Sequence, residues 1–155
     1  MAELIKAGVG ATVTVAIGGK TDVPAIGYKA EPLTVTGTVR AITDGRFKVT
    51  GPMATGMMID MGRTAVIDTG MVQIVVSERR SEPFDLGTFT NCGIDPRQKR
   101  YVLIKSRQHF RAGFEPIAKH IVLVDGPGAT TADFGRFQFK NIRCPLYPID
   151  WNEPR

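Results

Sequence analysis

The first half of the chain alternates apolar and polar side chains over short stretches, which is the pattern of half-buried β-strands. In residues 11–17, for example, Val13, Val15 and Ile17 fall on one face, and threonine or alanine falls on the other. The same alternation predicts further strands at residues 33–42, 46–50, 64–68 and 71–77.

Two glycine-containing turns connect these predicted strands. Asp44-Gly45 separates the second strand from the third, and Thr69-Gly70 separates the last two. Since glycine readily adopts the positive φ of a tight turn, each pair of strands is expected to form an antiparallel hairpin. Residues 2–7, closed by Gly8, predict a short helix before the first strand.

The hydrophobic pattern changes in the second half of the chain. Asp85 is placed to cap a short helix that carries Leu86 and Phe89, with Gly93 as its stop signal. Further on, residues 131–137 predict one more helical turn, and the tail from Arg143 is rich in proline and irregular.

Two continuously apolar runs, residues 101–104 and 121–124, read as strands that are covered on both faces. Between them, Ser106 is placed to cap a helix in which Phe110 and Phe114 share one face. The connection is long enough for a parallel crossover. The sequence therefore predicts a βαβ unit.

Together these elements predict an α+β fold, in which antiparallel β hairpins are followed by the βαβ unit in one mixed sheet with short helices. The length of 155 residues predicts a single domain over residues 1–155. Hydrophobic residues make up 43% of the chain and charged residues 23%, which excludes a mainly disordered protein.

Charge and cysteine content narrow the class of protein. The two cysteines, Cys92 and Cys144, are too few for a disulfide scaffold, so we expect reduced thiols in a cytoplasmic setting. No apolar run reaches the length of a membrane span, so no membrane partner is expected. The net charge of +5 suggests nucleic acid as one candidate partner.

The distribution of the basic residues argues against that partner. Six of them lie in residues 97–111, a stretch without acids: Arg97, Lys99, Arg100, Lys105, Arg107 and Arg111. The predicted strand at 101–104 separates the first three from the last three by roughly 15 Å, so one continuous basic stripe is not expected. The sequence also lacks a nucleic-acid-binding motif.

The segment KSRQHFRAGF, residues 105–114, holds the candidate site. It begins where an apolar strand is predicted to end and a helix to begin, a place where anions collect. Lys105, Ser106, His109 and Arg111 together are suited to hold a carboxylate or polarise a carbonyl. The alternative is a solvated basic helix with one buried histidine.

A metal site is not predicted in this chain. His109 and His120 are separated by predicted elements, neither lies in an HExxH frame, and Cys92 and Cys144 are far apart. We therefore expect the isolated chain to need no cofactor.

Several stretches resemble the C-terminal domain of the MlrC-type proteins, which are predicted zinc metallopeptidases named after microcystin degradation protein C. The matching stretches run in the family's order and span nearly the whole chain: AGVGATVTVAIGGK (7–20), PLTVTGTVRAITDGRF (32–47), GIDP (93–96), KSRQHFRAGFEPIA (105–118), VDGPG (124–128) and RCPLYPID (143–150).

The resemblance implies a hydrolase of peptides or amide-like substrates whose zinc is held by a larger N-terminal catalytic domain, absent from this sequence. That domain and a peptide-like substrate are then the expected partners. Lys105, Ser106, His109 and Arg111 are the residues that carry over, facing the cleft between the domains. The alternative is a non-enzymatic protein-interaction module.

Overall fold

The computed structural model of the protein describes residues 1–124, 126, 131, 133–137, 139–143 and 145–147. These residues fall into two compact units. The first comprises residues 1–15 and 34–123, and the second comprises residues 16–33 and the described residues from 124 onward. The single domain expected over residues 1–155 stays a prediction.

The described residues contain six strands. They are β1 (Thr12–Ile17), β2 (Leu33–Thr43), β3 (Arg46–Lys48), β4 (Met58–Asp60), β5 (Thr64–Asp68) and β6 (Gln73–Ser77). Four of them form a sheet in the order β1-β2-β5-β6, in which β5 runs antiparallel to both of its neighbours. With short helices beside antiparallel strands, the α+β class is confirmed.

The core of the first unit lies around β5, the strand whose first four residues are all buried. Val66 packs with Cys92 and Ile94, and Val39 of β2 is fully buried. On the N-terminal side, helix α1 (Ala2–Ala7) buries Leu4 and ends at Gly8, as predicted.

The helix predicted after Asp85 is present as α2 (Gly87–Thr90). One carboxylate oxygen of Asp85 accepts the amide N–H of Gly87 at 2.7 Å. The other accepts the amides of Thr50 and Gly51, at 3.2 and 2.7 Å. Asp85 therefore ties the first residue of α2 to the loop after β3, from a position one residue before the N-cap, Leu86.

The second predicted hairpin is confirmed, and the first is wrong. β5 and β6 pair around the turn at Thr69-Gly70, with Gly70 at a φ of +85°. At Asp44-Gly45 the chain also turns, but β3 pairs with β4 in a separate two-stranded sheet. The reason is that β2 already has β5 on one edge, as far as Thr43, and β1 on the other. A turn signal marks a change of direction without specifying the strand that pairs next.

The predicted βαβ unit is also wrong, although its connection is folded. Residues 101–104 and 121–124 form neither helix nor strand. Tyr101, Leu103 and Val122 are more than 80% exposed. A strand needs a hydrogen-bonding neighbour, and the described residues offer none to either run. Within the described residues, the sheet therefore lacks the predicted parallel pair.

The C-terminal region is described only in part. A 3₁₀ turn at Phe134–Arg136 confirms the helical turn expected within 131–137. The VDGPG stretch and Cys144 lie wholly or largely outside the described residues. Among the described helices, none combines the length and hydropathy needed to cross a membrane.

Candidate functional site

The segment that carries the candidate site is a turn and a short helix anchored by two phenylalanines. Helix α3 (Arg111–Phe114) continues into a 3₁₀ turn at Glu115–Ile117, where Pro116 ends the α-helical pattern. Phe110 and Phe114 are buried, as predicted. The ring of Phe114 meets that of Phe89 edge-on, with centroids 5.9 Å apart.

Ser106 stabilises the turn before α3 rather than the first turn of a longer helix. Its Oγ accepts the amide N–H of Phe110 at 3.1 Å, while α3 begins one residue later. On the inner side of α3, a Cβ on Gly113 would stand 2.6 Å from the carbonyl oxygen of Phe84. The helix is therefore pressed against the segment that leads to Asp85, and only glycine fits at the contact.

That segment brings a carboxylate to the site, from Glu82. Its Oε1 accepts a hydrogen bond from the hydroxyl of Ser106 at 2.6 Å, and its Oε2 lies 2.9 Å from Nδ1 of His109. Glu82 is 24 and 27 residues away from these partners in sequence, in the polar stretch SERRSEPF. Since no periodic pattern or motif marks such a position, sequence analysis did not find it.

The hydrogen bonds determine how this cluster is protonated. The hydroxyl of Ser106, followed by the imidazole of His109, lowers the pKa of Glu82 below its ordinary value of 4.5. At neutral pH Glu82 is therefore a carboxylate, which only accepts hydrogen bonds. Nδ1 of His109 must then carry the proton that it shares with Glu82, which leaves Nε2 as the ring atom for another partner.

The two cationic candidates are placed differently. Arg111 donates from Nη1 to Oε1 of Glu115 at 3.1 Å, and its guanidinium lies 5.2 Å from the centroid of the Phe110 ring. Lys105 is exposed, next to Ser106 in sequence. The described contacts thus unite Ser106 and His109 through Glu82, whereas Arg111 is held by its neighbour one helical turn away.

A groove of about 290 Å³ lies elsewhere in the first unit and contains none of the four candidate residues. It is lined by Arg40, Gln73, Lys99 and Cys92 among others. Burial raises the pKa of the Cys92 thiol. Cys92 is a buried free thiol of the core, and the raised pKa disfavours the nucleophilic thiolate form.

The donor set for a zinc ion is missing from the described residues, in which no three His, Cys, Asp or Glu side chains come together. A catalytic zinc ion usually takes three protein ligands. The pair formed by Glu82 and His109 does not meet this requirement, so the described residues do not fit a zinc site of their own.

The same pair leads to a prediction about pH. Because its pKa is lowered by folding, Glu82 stabilises the protein above pH 4.5, and this contribution is lost as the pH falls through the lowered value. Glu82→Gln should therefore be less stable than the parent at pH 7, and the difference should shrink as the pH falls through the lowered pKa of Glu82. Denaturant unfolding at a series of pH values measures the difference.

The matched control for this experiment is Glu31→Gln, at an exposed glutamate between β1 and β2. It should leave the free energy of unfolding nearly unchanged at every pH. A stability difference for Glu82→Gln that shrinks at no pH below 4.5 would contradict the pairing of Glu82 with Ser106 and His109.

The chain is similar to known proteins of one family. The MlrC C-terminus family matches residues 1–141. Microcystinase C of Sphingomonas sp. is 32% identical over 145 residues, which are 94% of this chain and 26% of that protein. The crystal structure of a candidate metallopeptidase from Mesorhizobium sp. BNC1 aligns with 97% of this chain at a TM-score of 0.80 and 28% identity, over 29% of its own length.

These relatives are much longer than the chain, which spans between a quarter and a third of their length. Within that part the correspondence covers nearly every residue and extends to the three-dimensional structure. Because the family match covers most of the 155 residues, this chain belongs to the MlrC C-terminus family.

Proposed function

We propose that the chain is the C-terminal, substrate-covering part of an MlrC-type metallohydrolase that cleaves peptides or amide-like substrates. The observation that carries this proposal is the contact of Glu82 with Ser106 and His109. A carboxylate that fixes one nitrogen of an exposed imidazole prepares the other nitrogen for a ligand. Similarity to Microcystinase C and to a candidate metallopeptidase supports the choice of reaction.

In this proposal, Lys105 and Arg111 bind a carboxylate of the substrate. Arg111 has five N–H donors and uses one of them for Glu115 in an ion pair that is exposed on both sides. Such an exposed pair contributes about 0–1 kcal/mol, so a substrate carboxylate can share the guanidinium or replace Glu115.

His109 acts on the substrate carbonyl. Its Nδ1 is occupied by Glu82, so Nε2 donates a hydrogen bond to the carbonyl oxygen when the ring is protonated. When the ring is neutral, Nε2 accepts a proton instead, and the two states together let His109 shuttle a proton. Ser106 and Glu82 are positioning residues, because they reach the substrate only through the imidazole.

Zinc belongs, in our proposal, to the region that precedes this domain in the relatives. A zinc ion there would supply a Lewis acid for the scissile carbonyl and a source of activated water. The described residues of this chain contribute substrate binding and proton handling rather than metal ligands. The isolated 155-residue chain is accordingly expected to hydrolyse no peptides.

The test uses a chimera in which the 155 residues replace the matching quarter of Microcystinase C. Its substrates are peptides with a free C-terminal carboxylate and the same peptides as C-terminal amides. One charge-assisted hydrogen bond contributes about 1.5–3 kcal/mol, so Arg111→Ala should raise KM roughly 10- to 100-fold for the carboxylate peptides alone. Steady-state kinetics on both substrate series measure this.

Arg107→Ala is the matched control, because it removes an exposed positive charge from the same turn. It should leave both substrate series unchanged. If Arg111→Ala instead lowers the melting temperature and affects both series equally, the residue is structural and its assigned role is wrong.

The second candidate function is a protein-interaction module without hydrolytic activity. It is favoured by the exposed apolar residues at 101–104 and 121–124. A chimera that folds, binds zinc and hydrolyses neither substrate series would support it over the hydrolase. The absence of a nucleic-acid partner and the cytoplasmic setting stay predictions.

A further inference from the structure

Two apolar runs flank the anchored segment of the candidate site in the sequence and leave large side chains in solvent. They are residues 101–104 and 121–124, here called the docking runs. Exposure reaches 81% at Tyr101, 88% at Leu103 and 81% at Val122. Scattered exposed apolar residues are normal, but consecutive ones on this scale mark interaction surfaces.

The exposure of the first run alternates along the chain. Tyr101 and Leu103 are open, Val102 is 37% exposed and Ile104 is half-buried. This period of two is that of an extended strand, with one face more covered than the other. Within the described residues, the backbone of neither docking run makes a hydrogen bond. Both runs thus have strand composition without a strand partner.

We propose that the docking runs bind the region that precedes this domain in MlrC-type proteins and become strands by pairing with it. The matching family is described as a C-terminus, and the matched part is 26% of one relative and 29% of the other, so most of each relative lies outside it. A region of that size provides both sheet edges for the backbone groups and apolar cover for the exposed side chains. This proposal rests on the proposed function only for the identity of the partner.

Charge indicates the character of the facing surface. Arg100 and Lys105 flank the first docking run, and Lys119 and His120 precede the second. Neither run contains an acidic residue, and the only one adjacent to either is Asp125, which follows the second run. Complementary interfaces pair opposite charges around an apolar centre, so the partner surface should be apolar with an acidic rim.

Hydrogen–deuterium exchange tests the proposal in the chimera with Microcystinase C and in the isolated chain. In the chimera, the amides of both docking runs should exchange about 100-fold more slowly than in the isolated chain, because strand pairing protects them. The double variant Leu103→Asp, Val122→Asp should return exchange to the rate of the isolated chain. Both positions are so exposed that the fold of the isolated chain should not change.

Met71→Asp is the matched control, because Met71 is 95% exposed in the turn between β5 and β6. It should leave the protection of the docking runs intact. Fast exchange of both runs in a chimera that unfolds cooperatively would overturn the proposal. So would protection in the isolated chain that grows with protein concentration, since the partner would then be a second copy.

Activity separates this proposal from the proposed function. A chimera with protected docking runs but no hydrolysis supports docking and counts against the hydrolase. A chimera that hydrolyses its substrates while both runs exchange freely overturns the docking surface and leaves the hydrolase standing.

Discussion

Replacing Asp85 with alanine should lower the free energy of unfolding by about 3–5 kcal/mol, because the residue satisfies three backbone amides at once. Its carboxylate is 2% exposed and accepts the N–H groups of Thr50, Gly51 and Gly87. A hydrogen bond to a charged group contributes about 1.5–3 kcal/mol, and an amide left buried without an acceptor adds a penalty. Denaturant unfolding with circular dichroism measures the change.

Two further variants separate the hydrogen bonds from the loss of side-chain volume. Asp85→Asn keeps the size but turns an NH₂ group toward backbone N–H donors, so it should still cost about 2 kcal/mol or more. Asp44→Ala removes an exposed aspartate that accepts one amide, from Arg46, and should cost about 1 kcal/mol or less. Equal losses for Asp85→Ala and Asp44→Ala would show that the three bonds do not stabilise the fold.

Asp85 also illustrates how far sequence analysis reaches. The bond to Gly87 was predictable, since it is a local contact between an aspartate and the start of the next helix. The bonds to Thr50 and Gly51 span 35 and 34 residues and were not predictable, because no local pattern records such a contact. The same distinction explains why Ser106 and His109 were found as candidates and Glu82 was not.

The apolar runs at 101–104 and 121–124 show a different limit. Both runs consist almost entirely of apolar residues, and this composition led to the prediction of strands that are covered on both faces. Composition does not say whether the cover comes from the same chain. Within the described residues these side chains stay exposed, so the prediction of covered strands was wrong. Their apolar character is instead the basis of the proposed docking surface.

The two predicted hairpins show a similar limit, since one was predicted correctly and the other was not. Thr69-Gly70 was predicted correctly because the strands that it joins lie next to each other in both sequence and sheet. Asp44-Gly45 joins strands of two different sheets, and β2 takes β5 as its neighbour across a gap of about twenty residues. Pairing of that kind depends on the packing of the whole unit, which a turn signal does not contain.

Phe114→Ala should be comparably destabilising, at about 3–5 kcal/mol, because it leaves a cavity under the candidate site. Phe114 is 5% exposed and makes an edge-on contact with Phe89. Its neighbour Gly113 is fixed against the backbone of Phe84, so α3 has little freedom to move inward and fill the space. The cost should therefore lie toward the upper part of that range, as measured by denaturant unfolding.

A double-mutant cycle distinguishes this ring contact from general loss of apolar area. Phe89→Ala and Phe114→Ala should be coupled by roughly 0.5–1.5 kcal/mol, the range for edge-on aromatic pairs. Phe134→Ala, at a phenylalanine that is half-exposed in a 3₁₀ turn, is the matched control and should cost about 1 kcal/mol or less. If Phe114→Ala costs no more than this control, α3 is not anchored by its phenylalanines, and the turn that holds Ser106 and His109 against Glu82 must be stabilised in another way.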